Sequence, residues 1–145
     1  MIKIGITGSL ASGKSTVAKI ISSGRYPLYN ADTAVKKIYQ TNVFQTKVFK
    51  KFKLKNKKNI KNKIKKIISS DKKYLNDLEK IIHPLVRKQI IKFIKKNRGK
   101  KFLIFEIPLL IESKQMQSYD KIIFVNSRID LRLIAFSLVR FDKVI

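Results

Sequence analysis

The chain opens with Ile2-Lys3-Ile4-Gly5-Ile6-Thr7-Gly8-Ser9-Leu10-Ala11-Ser12-Gly13-Lys14-Ser15-Thr16, and this segment indicates how the rest is organised. Residues 2–7 form a short apolar run bounded by glycine, which is typical of a buried parallel strand. After the glycines, Val17, Ile20 and Ile21 recur at helical spacing. The segment therefore predicts a strand, a glycine-containing loop and a helix, in that order.

Residues 8–15 match G-x-x-x-x-G-K-[ST], the phosphate-binding loop, or P-loop. Glycines in such a loop let the backbone wrap closely around an anion, while amides of the loop and of the helix N-terminus point at the phosphates. Lys14 is predicted to neutralise charge on the outer phosphates, and the Ser15 hydroxyl is predicted to hold Mg²⁺. The motif predicts that the chain binds a nucleoside triphosphate.

Further elements alternate along the chain. Apolar runs predict strands over 26–29, 102–107 and 121–125. Helical periodicity predicts one or two helices within 33–52, a helix from 71 to 82, and a last helix over 128–139; Pro84 either kinks the second of these or opens another helix. We therefore predict an α/β fold, a three-layer P-loop NTPase with a parallel sheet and a helical substrate-binding subdomain. No linker divides residues 1–145, so we predict a single domain.

Charge is the most unusual feature of the composition. The 145 residues include 34 Lys and Arg against 9 Asp and Glu, a formal net charge of +25. Of the basic residues, 22 lie between Lys47 and Lys101, mostly Lys mixed with Ile and Asn. An AT-rich coding sequence typically produces such a mixture at surface positions that tolerate substitution. Proteins that read nucleic acids usually carry more Arg and more exposed aromatic residues. We interpret it as a solvated face, with no specific nucleic-acid partner, and a site for a small anionic molecule fits as well.

Missing residue types exclude several functions. The chain has no Cys and one His, which excludes disulfide frameworks and thiolate chemistry and disfavours histidine metal sites and catalytic triads. The first residues lack the long apolar stretch of a signal peptide, and there is no apolar run long enough to span a bilayer. We predict a cytoplasmic protein without a membrane partner.

Acidic residues follow the predicted strands at the edge where ligands bind in open α/β sheets. Asp32 follows the second strand and is placed to accept a proton from an attacking hydroxyl or to orient it. The alternative interpretation is a purely structural role as a helix N-cap. Glu106 ends the next strand, where such folds often place an acid near the waters of Mg²⁺, and Glu112 follows it. We find no N-K-x-D guanine-reading motif, so GTP is disfavoured.

The chain resembles the dephospho-coenzyme A kinase family in four motifs. Residues 4–18 are similar to G-L-T-G-G-I-G-S-G-K-S-T-V-A, and Asn30-Ala31-Asp32 is similar to D-A-D. Residues 78–87, LEKIIHPLVR, are similar to L-E-x-I-x-H-P-x-V-R, and residues 108–113, PLLIES, are similar to P-L-L-F-E-S. These motifs, in this order, cover roughly residues 1–127 and are far more specific than the loop alone.

The resemblance implies a kinase that uses Mg²⁺-ATP to phosphorylate the ribose 3′-hydroxyl of dephospho-coenzyme A, the last step of coenzyme A synthesis. It implies that Asp32 is the catalytic base and a ligand of the substrate hydroxyl, and that His83 and Arg87 lie near the coenzyme A side. It implies a Lys-rich helical part over 47–97 that covers the substrate. The ATP site expected from motif and resemblance comprises Gly8, Ala11, Ser12, Gly13, Lys14, Ser15 and Thr16, with Ser15 and Glu106 on the metal side. We further expect a monomer.

The chain departs from the family pattern at three places. Asn30 replaces the first Asp of D-A-D, and Ser9 and Ala11 replace loop glycines. Residues 128–145 are expected to be a divergent or truncated tail, in which Arg132 or Arg140 is a candidate lid arginine without a matching motif. Two alternatives follow: a truncated inactive relative that binds nucleotide, or nucleic acid through its Lys face, without turnover, and a kinase of another small phosphate acceptor such as a nucleoside monophosphate.

Overall fold

A computed structural model describes residues 1–54, 60–108, 110 and 116–128. Contacts within the chain divide it into two compact units. The sheet unit comprises Met1–Ala31 and Ile94–Ile145, and the helical unit comprises Asp32–Phe93. The elements, in chain order, are β1 (Ile2–Gly8), α1 (Lys14–Ser22), β2 (Leu28–Asn30), α2 (Ala31–Tyr39), α3 (Asn42–Lys51), α4 (Ile60–Ser70), α5 (Lys72–Lys96), β3 (Phe102–Glu106), a 3₁₀ turn (Met116–Ser118) and β4 (Lys121–Val125).

The sheet unit is built on four parallel strands in the order β2-β3-β1-β4. Their register brings Asn30 opposite Glu106 and Gly8 opposite Val125, so the carboxyl ends of all four strands share one edge of the sheet. On one face, α1 packs Ala18 against Ile6 and Ile104, all three fully buried. This packing fixes the turn between β1 and α1 above the shared edge.

The helical unit has its own hydrophobic core. Apolar side chains meet there at helical spacing, because α2, α3, α4 and α5 each turn one apolar face inward. Asp71 accepts a hydrogen bond from the backbone N–H of Lys73 at 2.8 Å and so caps the start of α5. Lys51 and Asp77 form an ion pair at 3.2 Å. The core residues are Ile38, Phe44, Val48, Ile60, Ile64 and Leu78.

The α/β prediction is confirmed: the structure has a parallel sheet, with one helix between β1 and β2 and four helices between β2 and β3. The predicted segment 33–52 contains two helices, and β4 has the predicted bounds. Pro84 does not open a new helix, because α5 continues through it. The apolar residues 81, 82, 85 and 86 pack against the helical core and hold α5 together across the proline. The predicted helix 128–139, Glu112, Arg132 and Arg140 lie outside the described residues.

Two tyrosines of the sheet unit, Tyr29 in β2 and Tyr119 just before β4, have raised pKa values. Burial raises the pKa of Tyr29 to about 12, and burial together with the neighbouring Tyr29 raises the pKa of Tyr119 to about 12. Both rings contact Phe105, with centroid separations of 5.9 Å and 5.3 Å. The ordinary pKa is 10.0, so between about pH 10 and pH 12 the unfolded chain releases phenolic protons that the folded chain keeps. The free energy of unfolding therefore falls as the pH rises through this window.

Replacing Tyr119 with Phe is expected to flatten this alkaline loss of stability, because the ring contact with Phe105 stays while one titrating hydroxyl is removed. Melting temperatures of both proteins, measured at about pH 9 and about pH 11, test the prediction. The wild type should lose more of its melting temperature than Tyr119→Phe over that interval. Equal losses would contradict the assignment of the late titration to Tyr119.

Candidate nucleotide-binding site

The loop between β1 and α1 has the backbone of an anion cradle. Ala11 and Gly13 adopt the left-handed conformation, with φ of 57° and 86°, and Gly13 is the N-cap of α1. The first amides of an α-helix have no intrahelical acceptor, and successive N–H groups around left-handed residues form a concave nest for anions. A Cβ at Gly13 would meet nothing within 4 Å, so the backbone there is open to a ligand. The loop supplies N–H donors and the positive end of a helix dipole.

Lys14 and Ser12 add side-chain donors to this cradle. Lys14 Nζ donates to the carbonyl oxygens of Gly8 at 2.9 Å and Ser9 at 2.6 Å, which holds the ammonium over the loop. Ser12 is 6% exposed, and its buried Oγ has no hydrogen-bond partner among the described residues. A buried hydroxyl without a partner is costly, and a bound phosphate oxygen would satisfy it. The loop therefore fits the phosphates of a nucleotide.

A buried carboxylate connects the start of α1 to the ends of β2 and β3. Ser15 Oγ donates to Oε1 of Glu106 at 2.5 Å, and Asn30 Nδ2 donates to Oε2 of the same carboxylate at 2.5 Å. Glu106 is 5% exposed, and each of its two oxygens accepts one of these hydrogen bonds. The carboxylate is thereby fixed in orientation beside the Ser15 hydroxyl.

These oxygens are chemically suited to Mg²⁺. This ion prefers hard oxygen donors, keeps several waters and is usually bound by one or two protein oxygens together with substrate phosphates. A hydroxyl and a carboxylate meet that description at Ser15 and Glu106. Across the described ranges, no group of three or more His, Cys, Asp or Glu side chains could hold a metal ion by itself. The site thus fits a metal that arrives with a nucleotide, and Ser15 and Glu106 would face it.

Gly8 is required by the close approach of β4. Its φ is +148°, and a Cβ built on it would lie 1.9 Å from the carbonyl oxygen of Val125, a backbone atom that cannot move aside without disturbing the strand pair. Replacing Gly8 with Ala is expected to lower the free energy of unfolding by about 3 kcal/mol, or the melting temperature by about 10 °C.

Thermal unfolding followed by circular dichroism measures this effect. Gly99→Ala is the matched control, because a Cβ at Gly99 meets nothing within 4 Å. Gly8→Ala and Gly99→Ala proteins that melt at the same temperature would contradict the close approach of Gly8 to β4.

The other predicted site residues belong to the helical unit. Asp32 is exposed in the first turn of α2, two residues after Asn30. Because α2 begins at Ala31, Asp32 is a helical residue and not the N-cap that the alternative interpretation expects. His83 and Arg87 are exposed and lie one turn apart on α5.

In the sheet unit, the structure brings together the loop, Lys14, Ser15 and Glu106. Thr16 follows Ser15 in the exposed first turn of α1.

Sequence reasoning missed one member of the site. In the sequence, Asn30 stands out only as a departure from a related motif, yet its hydrogen bond to Glu106 joins residues 76 positions apart in the chain. The bond depends on β2 lying beside β3, and strand order is set by non-local packing. The only sequence signal for it is that both residues lie at the carboxyl ends of predicted strands, Asn30 directly after 26–29 and Glu106 within 102–107.

A strand, a glycine-containing phosphate loop and a helix on a parallel sheet, with an acid at the end of a neighbouring strand, define a P-loop nucleotide-binding protein. The family model for dephospho-CoA kinase matches residues 2–139. The chain belongs to the dephospho-CoA kinase family.

Individual relatives agree with this assignment. The chain is 38% identical over 128 residues to the dephospho-CoA kinase of Bartonella henselae, covering 86% of this chain and 66% of that relative. It is 35% identical over 133 residues to the dephospho-CoA kinase of Rickettsia typhi, covering 92% of this chain and 69% of that relative. The chain thus spans about two thirds of the length of these curated relatives.

Solved structures share the fold. The crystal structure of TT1252 from Thermus thermophilus aligns with a TM-score of 0.80 and 26% identity, covering 94% of this chain and 71% of that chain. A dephospho-CoA kinase from Campylobacter jejuni aligns with a TM-score of 0.63 and 22% identity, covering 95% of each chain. The predicted kinship is confirmed.

No helix in the described part of the chain is both long and apolar enough to cross a membrane.

Proposed function

We propose that this protein transfers the γ-phosphoryl group of ATP to the ribose 3′-hydroxyl of dephospho-coenzyme A and so forms coenzyme A. The family match over residues 2–139 carries the proposal, and the phosphate cradle at the end of β1 supports it. A nucleoside monophosphate kinase is not favoured, because the curated relatives that match are named dephospho-CoA kinases.

The phosphate loop binds ATP in this proposal. Amides at the N-terminus of α1 and the Lys14 ammonium face the phosphates, and Ser12 Oγ gains a phosphate oxygen as its hydrogen-bond partner. Ser15 and Glu106 face Mg²⁺, which would neutralise charge that develops on the transferring group. The remaining loop residues, Gly8, Ala11, Gly13 and Thr16, shape the backbone around the phosphates.

Asp32 is proposed to act on the acceptor. The carboxylate takes the proton of the ribose hydroxyl, the hydroxyl oxygen forms its bond to the γ-phosphorus, and the bond from that phosphorus to ADP breaks. Asp32 is the second residue after β2, whose last residue, Asn30, donates to Glu106, and this place in the chain supports the role. His83 and Arg87 are proposed to bind the substrate, since an exposed Arg one turn from a His presents donors for phosphate oxygens.

An acceptor panel tests the proposed substrate. The purified protein is incubated with Mg²⁺-ATP and one acceptor at a time: dephospho-coenzyme A, AMP, CMP or UMP, and kcat/KM is measured from ADP release. We expect dephospho-coenzyme A to exceed each nucleoside monophosphate by at least about a hundredfold. A nucleoside monophosphate that matches or exceeds it would refute the proposed substrate. A cytoplasmic location, a monomeric state and the absence of a specific nucleic-acid partner stay predictions.

A further inference from the structure

Asn30 is the amide at the centre of this inference. Its Nδ2 donates to Oε2 of Glu106 at 2.5 Å, while Oε1 accepts from Ser15 Oγ at the same distance. Glu106 is almost fully buried at 5% exposure, and its two oxygens face these two different donors. Rotation of the carboxylate toward another direction would break at least one of the two bonds. The orientation of Oε1 toward Ser15 therefore depends on Asn30.

An amide at this position has a different consequence from a carboxylate. In the related D-A-D motif, an aspartate stands where this chain has Asn30. Two carboxylates at such a short separation repel each other in a buried site unless a proton or a cation lies between them. The Nδ2 group of Asn30 instead donates directly to Oε2, so the two groups attract each other without a proton or a cation between them. The link between β2 and Glu106 is thus made by the protein alone.

We propose that Asn30 is a positioning residue: its hydrogen bond to Oε2 orients the Glu106 carboxylate so that Oε1 faces Ser15. An amide, and not a bridging cation, then fixes the side of the nucleotide site that would face Mg²⁺. This inference rests on the proposed assignment of Ser15 and Glu106 to the metal. Residues that orient a metal-facing group by hydrogen bonding commonly change metal affinity by 10- to 100-fold when they are removed. Asn30 touches neither nucleotide nor metal in this proposal and acts through Glu106.

Nucleotide binding with and without the metal tests the positioning role. The dissociation constant of ATP is measured by calorimetry in excess Mg²⁺ and in EDTA, for the wild type and Asn30→Ala. We expect Asn30→Ala to weaken Mg²⁺-ATP binding about tenfold and to change metal-free ATP binding by less than about twofold. A purely structural role would weaken both to the same degree, and that result would overturn the proposal.

Thermal unfolding of Asn30→Asp tests independently whether a carboxylate at position 30, unlike the amide, needs a cation beside Glu106. This variant is nearly isosteric and restores the charge found in the related motif, so we expect its melting temperature to fall by about 5 °C in EDTA and to recover most of that loss in Mg²⁺. Asn42→Asp, an exposed position in the first turn of α3, is the matched control for the added charge and should show neither effect. An Asn30→Asp protein as stable as the wild type in EDTA would overturn the proposal.

The two measurements separate this inference from the proposed function, because neither uses dephospho-coenzyme A. Absent turnover of that acceptor together with the expected Mg²⁺ pattern would refute the proposed function and support the positioning role. A wild type that binds ATP equally well in Mg²⁺ and in EDTA would overturn the positioning role together with the metal assignment.

Discussion

Replacing Asp32 with Asn is expected to lower kcat for the phosphorylation of dephospho-coenzyme A by about 10³- to 10⁴-fold, with ATP affinity changed by less than about twofold. The amide keeps the size of the side chain but cannot accept the proton of the ribose hydroxyl. Asp32 is exposed in the first turn of α2, so the substitution removes no buried contact and should leave the fold intact. Steady-state kinetics and calorimetric ATP binding check the two halves of this expectation.

Asp71→Asn is the matched control for Asp32→Asn. Asp71 begins another helix of the same unit, and its Oδ1 caps the N–H of Lys73, a function that an amide oxygen can also perform. The control should keep kcat within about twofold of the wild type. An Asp32→Asn enzyme with nearly full kcat would refute the role of Asp32 as the proton acceptor.

Replacing Lys14 with Ala is expected to reduce kcat/KM by at least about 10³-fold and to weaken ATP binding as well. Its ammonium lies 2.9 Å and 2.6 Å from the carbonyl oxygens of Gly8 and Ser9, held over the loop that is proposed to wrap the phosphates. Charge that develops on the transferring phosphoryl group would lose its nearest cation from the loop. Single-turnover rates at saturating ATP separate the effect on the chemical step from the effect on binding.

Lys19→Ala is the control for Lys14→Ala. It removes the same charge from the same helix at an exposed position beyond the first turn. With a formal net charge of +25, one fewer surface lysine should have little general effect, and kcat/KM should stay within about twofold. Equal losses in Lys14→Ala and Lys19→Ala would mean that general positive charge, and not the loop lysine, assists the reaction.

Local signals made much of the sheet unit predictable. The phosphate-binding loop combines glycine positions with a lysine and a serine at fixed spacing, and it sits between an apolar run and a helical pattern, so β1 and α1 followed directly. The apolar runs that became β3 and β4 are short; the first lies between Lys101 and Pro108, and the second between Asp120 and Asn126. β3 lies between β2 and β1 and is buried, as its apolar run predicts. β4 also pairs with β1, but among the described strands it is an edge strand on which Ile122 and Phe124 are exposed, so the expectation of a buried strand there is wrong.

Non-local features were not predictable in the same way. The strand order places β2 beside β3, and only this neighbour relation brings Asn30 to Glu106. Pro84 shows the other limit, because its local preference for ending a helix is outweighed by packing of the helix on both sides of it. In both cases the deciding contacts come from residues distant in sequence.

The most direct test of the central claim is a mass measurement on the product. The purified 145-residue protein is incubated with Mg²⁺-ATP and dephospho-coenzyme A, with Lys14→Ala as the parallel control. We predict a product that is one phosphate heavier than the acceptor, identical to coenzyme A in fragmentation, and absent from the control. No such product from a wild type that is folded and binds ATP would contradict the claim that this chain is a dephospho-coenzyme A kinase in activity.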